Sequence, residues 1–261
     1  MGFITKTYEI QSDKVHSGNP ISLILLSDLH LAEYGCRNEE LIHEINRISP
    51  DFIVSSGDLV TAKIEHTTEV VENLLRRLAL QYPVYYAMGN HEERLRVRKD
   101  LYDDMFMRFY SCMTAMGVKL LCNEKESISI RGTDLCIYGL ELPLSYYRRM
   151  TKIHLETSVV NELLGRPDPE RFNILLAHHP RYGDAYFGWG ADLILSGHVH
   201  GGVMRLGTQA CISPDFSIFP KYGYGEFHKK EQHMIVSSGL GEHSIPFRIF
   251  NPKELVHLVI K

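Results

Sequence analysis

The chain is poor in the residues that build a covalent or metal-thiolate framework. Its 261 residues include five cysteines, Cys36, Cys112, Cys122, Cys136 and Cys211. None forms a CxxC pair and the number is odd, which argues against a disulfide scaffold and a zinc ribbon and suits reduced thiols. No apolar run approaches the roughly 20 residues of a membrane-spanning helix. The opening MGFITKTYEIQSDKV has neither a long apolar core nor a cleavage-like site, so no signal peptide is expected. A net charge of −4 gives no general pull toward nucleic acid or an anionic membrane. There is no repeat, low-complexity tract or linker. One domain over residues 1–261, in the cytoplasm, is the expectation. With 44% apolar and 23% charged residues the composition is that of an ordinary globular protein. What the chain does have is histidine, fourteen in all, several directly after strand-like runs.

In chain order, Ile21 to Ser27 is a continuous apolar run that ends in Asp28-Leu29-His30. Such runs read as strands buried on both faces. A helical period follows over Asn38 to Ile48, with Asn38 as its expected N-cap. A second apolar strand, Asp51 to Ser55, ends in Ser56-Gly57-Asp58. Thr67 or Thr68 opens an amphipathic helix to Leu80, and a third strand, Pro83 to Met88, ends in Gly89-Asn90-His91-Glu92. Residues 92–164 are less regular: a helical stretch over Arg94 to Met116, short strands at Val118 to Leu121, Ser127 to Arg131 and Leu135 to Leu140 that suggest a meander with a turn at Gly132-Thr133-Asp134, and a helix within His154 to Leu164. Phe172 to Ala177 resumes the pattern and ends in His178-His179. Asp192 to Ser196 ends in Gly197-His198-Val199-His200. Val203 to Leu206, Met234 to Val236, Phe247 to Phe250 and Leu255 to Ile260 read as further strands of a second, more antiparallel sheet. The architecture expected is α/β: a two-sheet sandwich with helices outside.

Asp, Asn and Gly at a strand exit are ordinary turn residues. Successive exits carrying Asp-x-His, Gly-Asp, Gly-Asn-His, His and Gly-His-x-His are more than turn chemistry. In α/β sheets that end of the strands is where ligands bind. Carboxylate and amide oxygens mixed with imidazole, without thiolate, suit manganese, iron or zinc. His198 and His200 are at i and i+2, so in extended backbone their side chains point to opposite sides. They could reach two different ions, or one ion each way round a tight turn that the flanking glycines permit.

The ordered series DLH, GD, GNHE, H and GHVH, from Asp28 to His200, resembles the calcineurin-like metallophosphoesterase superfamily, and the C-terminal part is similar to its bacterial YkuE-type phosphohydrolases. The resemblance implies a four-layer α/β/β/α fold and two divalent metal ions. Asp28, His30 and His200 would hold one, Asn90, His178 and His198 the other, with Asp58 and a water or hydroxide between them. Asn90 and His91 would contact the substrate phosphate, and His91 would protonate the leaving oxygen, oriented by Glu92. His179 is the alternative to His178. The implied activity is hydrolysis of phosphomono- or phosphodiesters. A hydrolase dedicated to one substrate, such as a nucleotide-sugar lipid precursor, is the alternative within enzymes, and a non-catalytic scaffold the alternative outside them, disfavoured because every ligand position is filled.

Outside this set, Arg94, Arg96 and Arg98 read as a solvated helix face in preference to an anion site. Tyr146, Tyr147, Arg148 and Arg149 read equally as a substrate edge or a surface loop. Lys221 to Gly225 reads as a loop and His243 as a structural histidine, and Gly239-Leu240-Gly241 lacks the setting of a nucleotide-binding loop.

Overall fold

A computed structural model describes residues 2–16, 18–149, 153–214, 216–242 and 248–261. Two six-stranded sheets face each other. The first contains β1 (Ile4–Ile10), β2 (Ile21–Leu26), β3 (Phe52–Ser55), β4 (Val84–Ala87), β5 (Lys119–Leu121) and β14 (Glu254–Ile260), in the order β1-β14-β2-β3-β4-β5. The second contains β6 (Glu124–Ile130), β7 (Thr133–Leu140), β8 (Phe172–Ala177), β9 (Leu193–Ser196), β12 (Gly225–Lys229) and β13 (Gln232–Val236), in the order β12-β13-β9-β8-β7-β6. β10 (Met204–Leu206) and β11 (Gln209–Ile212) form a separate hairpin.

Alternation along the apolar runs explains why they are apolar throughout. Leu23 and Leu25 of β2 point between the sheets, where they meet Phe52, Ile174, Leu176 and Leu195. Ile24 and Leu26 point outward onto α1 (Glu39–Ile48) and α2 (Glu69–Ala79) through Leu41, Ile45, Val71 and Leu74. On the other side Leu175, Ala177 and Ile194 pack against Val160 of α6 (Thr157–Leu164) and Tyr186 and Trp189 of α7 (Gly183–Trp189). Residues of period two feed separate cores, so the layers run α/β/β/α as expected.

Several local expectations are corrected. The second sheet is parallel at its centre, β13-β9-β8-β7, and antiparallel only where β12 and β6 flank it. The meander does not form. β5 pairs in parallel with β4 of the first sheet, whereas β6 and β7 form a hairpin in the second, turning at Arg131-Gly132. The stretch from Arg94 to Met116 is three helices, α3 (Asn90–Val97), α4 (Lys99–Tyr102) and α5 (Met105–Ala115), broken at Arg98 and at Asp103, whose φ is 51°. Asn38 does stand before α1, but its side chain accepts from Tyr34 N–H at 3.0 Å instead of capping the helix. Of Phe247 to Phe250, the first residue lies outside the described residues and Ile249 makes only an isolated bridge to Met204. β1 and β12 escape the pattern reading because more than half of their residues are polar, and β11 because four residues are too few to show a pattern.

Candidate active site

The carboxyl ends of β2, β3, β8 and β9 converge with the start of α3. Each exit turns sharply. Asp28, His30, Asp58, His198 and His200 all have positive φ, between 49° and 65°, a conformation that non-glycine residues adopt at a cost and that clusters at functional sites. It lets a single strand end aim successive side chains into one space.

The loops are tied together through backbone. Asp28 N–H donates to Gly57 O, His30 N–H to Asp58 O and Leu31 N–H to Leu59 O, so the first two exits run side by side. Asp28 accepts from Ser27 Oγ at 2.5 Å and from His198 N–H at 3.0 Å. Asp58 Oδ1 accepts from His91 N–H at 2.7 Å, which places a carboxylate at the N-terminus of α3. Glycines permit the approach. A Cβ on Gly89 would collide with the Asp58 carboxylate, and one on Gly197 with Ser27 Oγ and Asp28 Oδ2.

The side chains fall into adjoining groups. Asp28, His30 and His200 bring one ligand atom each within 4.8 Å of one another; so do Asp58, His178 and His198, and so do His30, Asp58 and His91. His198 and His200 therefore lie in different groups. His178 Nδ1–H donates to Ser56 O at 2.9 Å, which leaves its Nε2 facing Asp58 Oδ2 at 3.0 Å and Asp28 Oδ1 at 3.8 Å. His30 Nε2 lies 3.1 Å from His200 Nε2. Asn90 Oδ1 is buried without a donor among the described residues. Carboxylate, imidazole and amide groups thus converge in one space, and this donor set fits divalent cations.

Electrostatics agree with that reading. Burial holds His30 down at about 4, and it also lowers His91 and His198, keeping these rings in the neutral form that can ligate a metal. Burial disfavours charge on His178 too, but Asp58 and Asp28 carry it up to about 9, so a proton there occupies the position of a cation. Arg248 Nη2 donates to His200 Nδ1 at 3.1 Å, which puts the ring proton on Nε2. Ligation through Nε2 would require that proton to move to Nδ1 and the Arg248 contact to open.

Other expectations resolve as follows. Glu92 does not touch the His91 ring. It is buried and accepts from Asp58 N–H, Leu59 N–H, Val60 N–H, Gly89 N–H and Tyr86 Oη, clamping the second and third strand exits together. His91 Nδ1 accepts instead from Ala62 N–H at 2.8 Å. His179 stacks on Tyr147, with ring centroids 5.5 Å apart. Tyr147 also meets His198 edge-on, so it borders the site, whereas Tyr146 packs on Tyr182. Arg96 pairs with Glu93 and Glu141, and Arg98 with Asp100. Tyr222 and Tyr224 of the Lys221–Gly225 segment are buried, a packing role. His243 lies outside the described residues. Gly239 and Gly241, rejected from the sequence as a nucleotide-binding loop, matter by closeness: Leu240 N–H and Gly241 N–H donate to Ser27 O and Asp28 O. Ordered glycines beside a strand end are the signal that could have found them.

Residues 21–202 match the calcineurin-like phosphoesterase family, and the chain belongs to it. It is a metallophosphoesterase by family, a phosphoric ester hydrolase. Two Bacillus subtilis proteins are similar along nearly the whole chain: YpbG, 25% identical over 94% of this chain and 82% of that protein, and the metallophosphoesterase YkuE, 27% identical over 98% and 85%. Other relatives are longer; the chain spans 49% of a putative metallophosphoesterase of Caenorhabditis elegans. Among solved structures, the phosphopantetheinyl hydrolase of Mycobacterium tuberculosis shares the fold at 14% identity, with a TM-score of 0.51 over 85% of this chain and 91% of that one. No helix among the described residues is long and apolar enough to cross a membrane.

Proposed function

We propose that this chain is a dinuclear metal-dependent phosphohydrolase acting on phosphomono- or phosphodiesters. The observation that carries the reading is the overlap of the candidate ligands in adjoining groups, in which Asp58 shares one group with His30 and another with His178 and His198. Asp28, His30 and His200 would hold one ion, Asn90, His178 and His198 the other, and Asp58 would be shared. Manganese, iron and zinc suit these donors. Bound divalent ions supply charge neutralisation at phosphate oxygens and acidify water at neutral pH.

The chain's own groups do the rest. His91, whose Nδ1 accepts from Ala62, keeps its ring proton on Nε2. It therefore acts as a neutral hydrogen-bond donor to the phosphate or leaving oxygen; protonating Nδ1 would set two N–H groups against each other. Ser27 Oγ and the His198 N–H orient Asp28. Glu92 holds the Asp58 loop against the α3 start. Tyr147 covers the His178–His198 side.

The test is hydrolysis of bis-p-nitrophenyl phosphate and p-nitrophenyl phosphate with added manganese. Turnover that chelation abolishes and manganese restores is expected. Absence of turnover on both esters, with metal demonstrably bound, contradicts a broad esterase.

A further inference from the structure

Outside the histidine-rich strand exits, a second group of ligating side chains stands on the hairpin of β12 and β13. Glu226, His228 and His233 bring one ligand atom each within 4.8 Å of one another. The register explains why. It runs unbroken from Gly225 opposite Val236 to Lys229 opposite Gln232, with His228 opposite His233. Cross-strand partners share a face, and so do residues two apart on one strand, which puts Glu226 beside both rings. The intervening residues bear out the alternation. Phe227 meets Tyr222 edge-on, and Gln232 Nε2 donates to Phe187 O and Ala191 O, on the α7 side. His233 precedes by two Ile235, which lies in the core between the sheets. The three side chains therefore stand at the rim of the inter-sheet space, on the hairpin that forms the edge of the second sheet.

The three side chains contact one another. His233 Nδ1 is 3.0 Å from Glu226 Oε1 and His228 Nε2 is 3.5 Å from the same oxygen, and the two rings meet edge-on with centroids 4.7 Å apart. An ionised carboxylate only accepts, so His233 Nδ1 carries its ring proton toward Glu226. Two imidazole nitrogens thus converge on one carboxylate oxygen, as ligands do around a cation. The His228 side chain is 55% exposed and that of His233 13%, so the group has an open side for entry and a sheltered one. It is remote from the catalytic ligand set along the sheet. β13 runs parallel to β9, with His233 level with Leu193 and Val236 with Ser196, so about 10 Å of strand separates this group from the end that leads to His198.

We propose that Glu226, His228 and His233 form a further metal site that takes a single zinc ion. Two imidazoles and one carboxylate are a sufficient set for three-ligand zinc, with water in the fourth position, and affinity for such donors rises toward the end of the first row. Binding displaces the proton that His233 Nδ1 holds toward Glu226, and it joins β12 to β13 through side chains. The rival reading is a plain pair of histidine–glutamate contacts. The inference does not rest on the catalytic reading, because none of the three residues belongs to that ligand set.

The full chain, freed of metal with a chelator, is dialysed to equilibrium against graded zinc at neutral pH, and bound zinc is counted by atomic absorption. Wild type should bind one zinc ion per chain more than His228→Ala, and one more than His233→Ala. Loss of a ligand should weaken the site more than the about 10–100-fold that loss of a ligand's hydrogen-bonding partner costs. Asp58→Asn should still hold the ion that His228→Ala loses, so the count does not depend on how many ions the strand exits take. His228→Ala, made at the open position, should keep the melting temperature of the metal-free wild type and any manganese-dependent turnover, which separates a lost ligand from lost folding. The proposal is overturned if either histidine variant binds as much zinc as wild type at every concentration. It is also overturned if the His228-dependent ion disappears in Asp58→Asn, or if His228→Ala loses zinc only together with a lowered metal-free melting temperature.

Discussion

The backbone N–H of Ala62 donates to Nδ1 of His91 at 2.8 Å. An imidazole that accepts at one nitrogen carries its proton on the other, so this contact selects the tautomer that offers Nε2–H. Burial, the largest influence, and then the cations Arg94 and Lys63 lower the pKa of His91 below its ordinary value. The neutral ring thus prevails above that value, and falling pH protonates it only by breaking the Ala62 contact. With saturating metal, kcat should stay flat as pH rises from about 6.5 to 8; a decline over that range would point to an imidazolium donor. His91→Ala should retain bound metal and lower kcat about 10²–10³-fold, the scale of one transition-state hydrogen-bond donor. Metal analysis and a pH–rate profile on the same preparations check both points.

Glu92 should be a stability residue. Its carboxylate receives four backbone N–H groups and the Tyr86 hydroxyl. In Glu92→Gln an amide NH₂ would face those donors, leaving buried groups unpaired. A loss of about 2–4 kcal/mol is expected, read by denaturant unfolding. Equal stability of variant and wild type would remove the clamp from the account.

Gly197 tests how closely the loops must approach. A Cβ added there would fall on Ser27 Oγ and Asp28 Oδ2, so Gly197→Ala inserts a methyl where there is no space. Overpacking of this kind costs about 1–3 kcal/mol. Because the atom displaced is the Asp28 carboxylate, metal affinity should fall as well, measurable by competition with a chelator. An alanine variant that binds metal as tightly as the wild type would show that the contact is not needed.

The strands that position the site were legible because two-sided burial leaves no room for polar residues: β2, β3, β8 and β9 read as unbroken apolar runs with chemistry at their ends. The candidate ligands were legible for the same reason, as polar residues abutting a run that could not contain them. What escaped notice depends on tertiary partners. β1 carries Thr5, Thr7 and Glu9 on one side, and only pairing with β14 makes it a strand. β5 and β6 are adjacent in sequence yet belong to different sheets, a choice that local propensity does not encode. Glu92 looked like an orienting group for its neighbour because sequence shows adjacency; its partners are the backbone of a loop more than thirty residues away. The positive φ of Asp28, Asp58 and both GHVH histidines was likewise invisible, though the glycines around them mark where turns would tighten.

The central claim is that His198 and His200 serve different ions across a shared Asp58. A crystal structure of the manganese-loaded chain, with the metals located by anomalous scattering, tests it most directly. The account predicts two peaks, with Asp58 touching both, His198 on the ion held by Asn90 and His178, and His200 on the ion held by Asp28 and His30. A single peak, or both imidazoles on one ion, would contradict it.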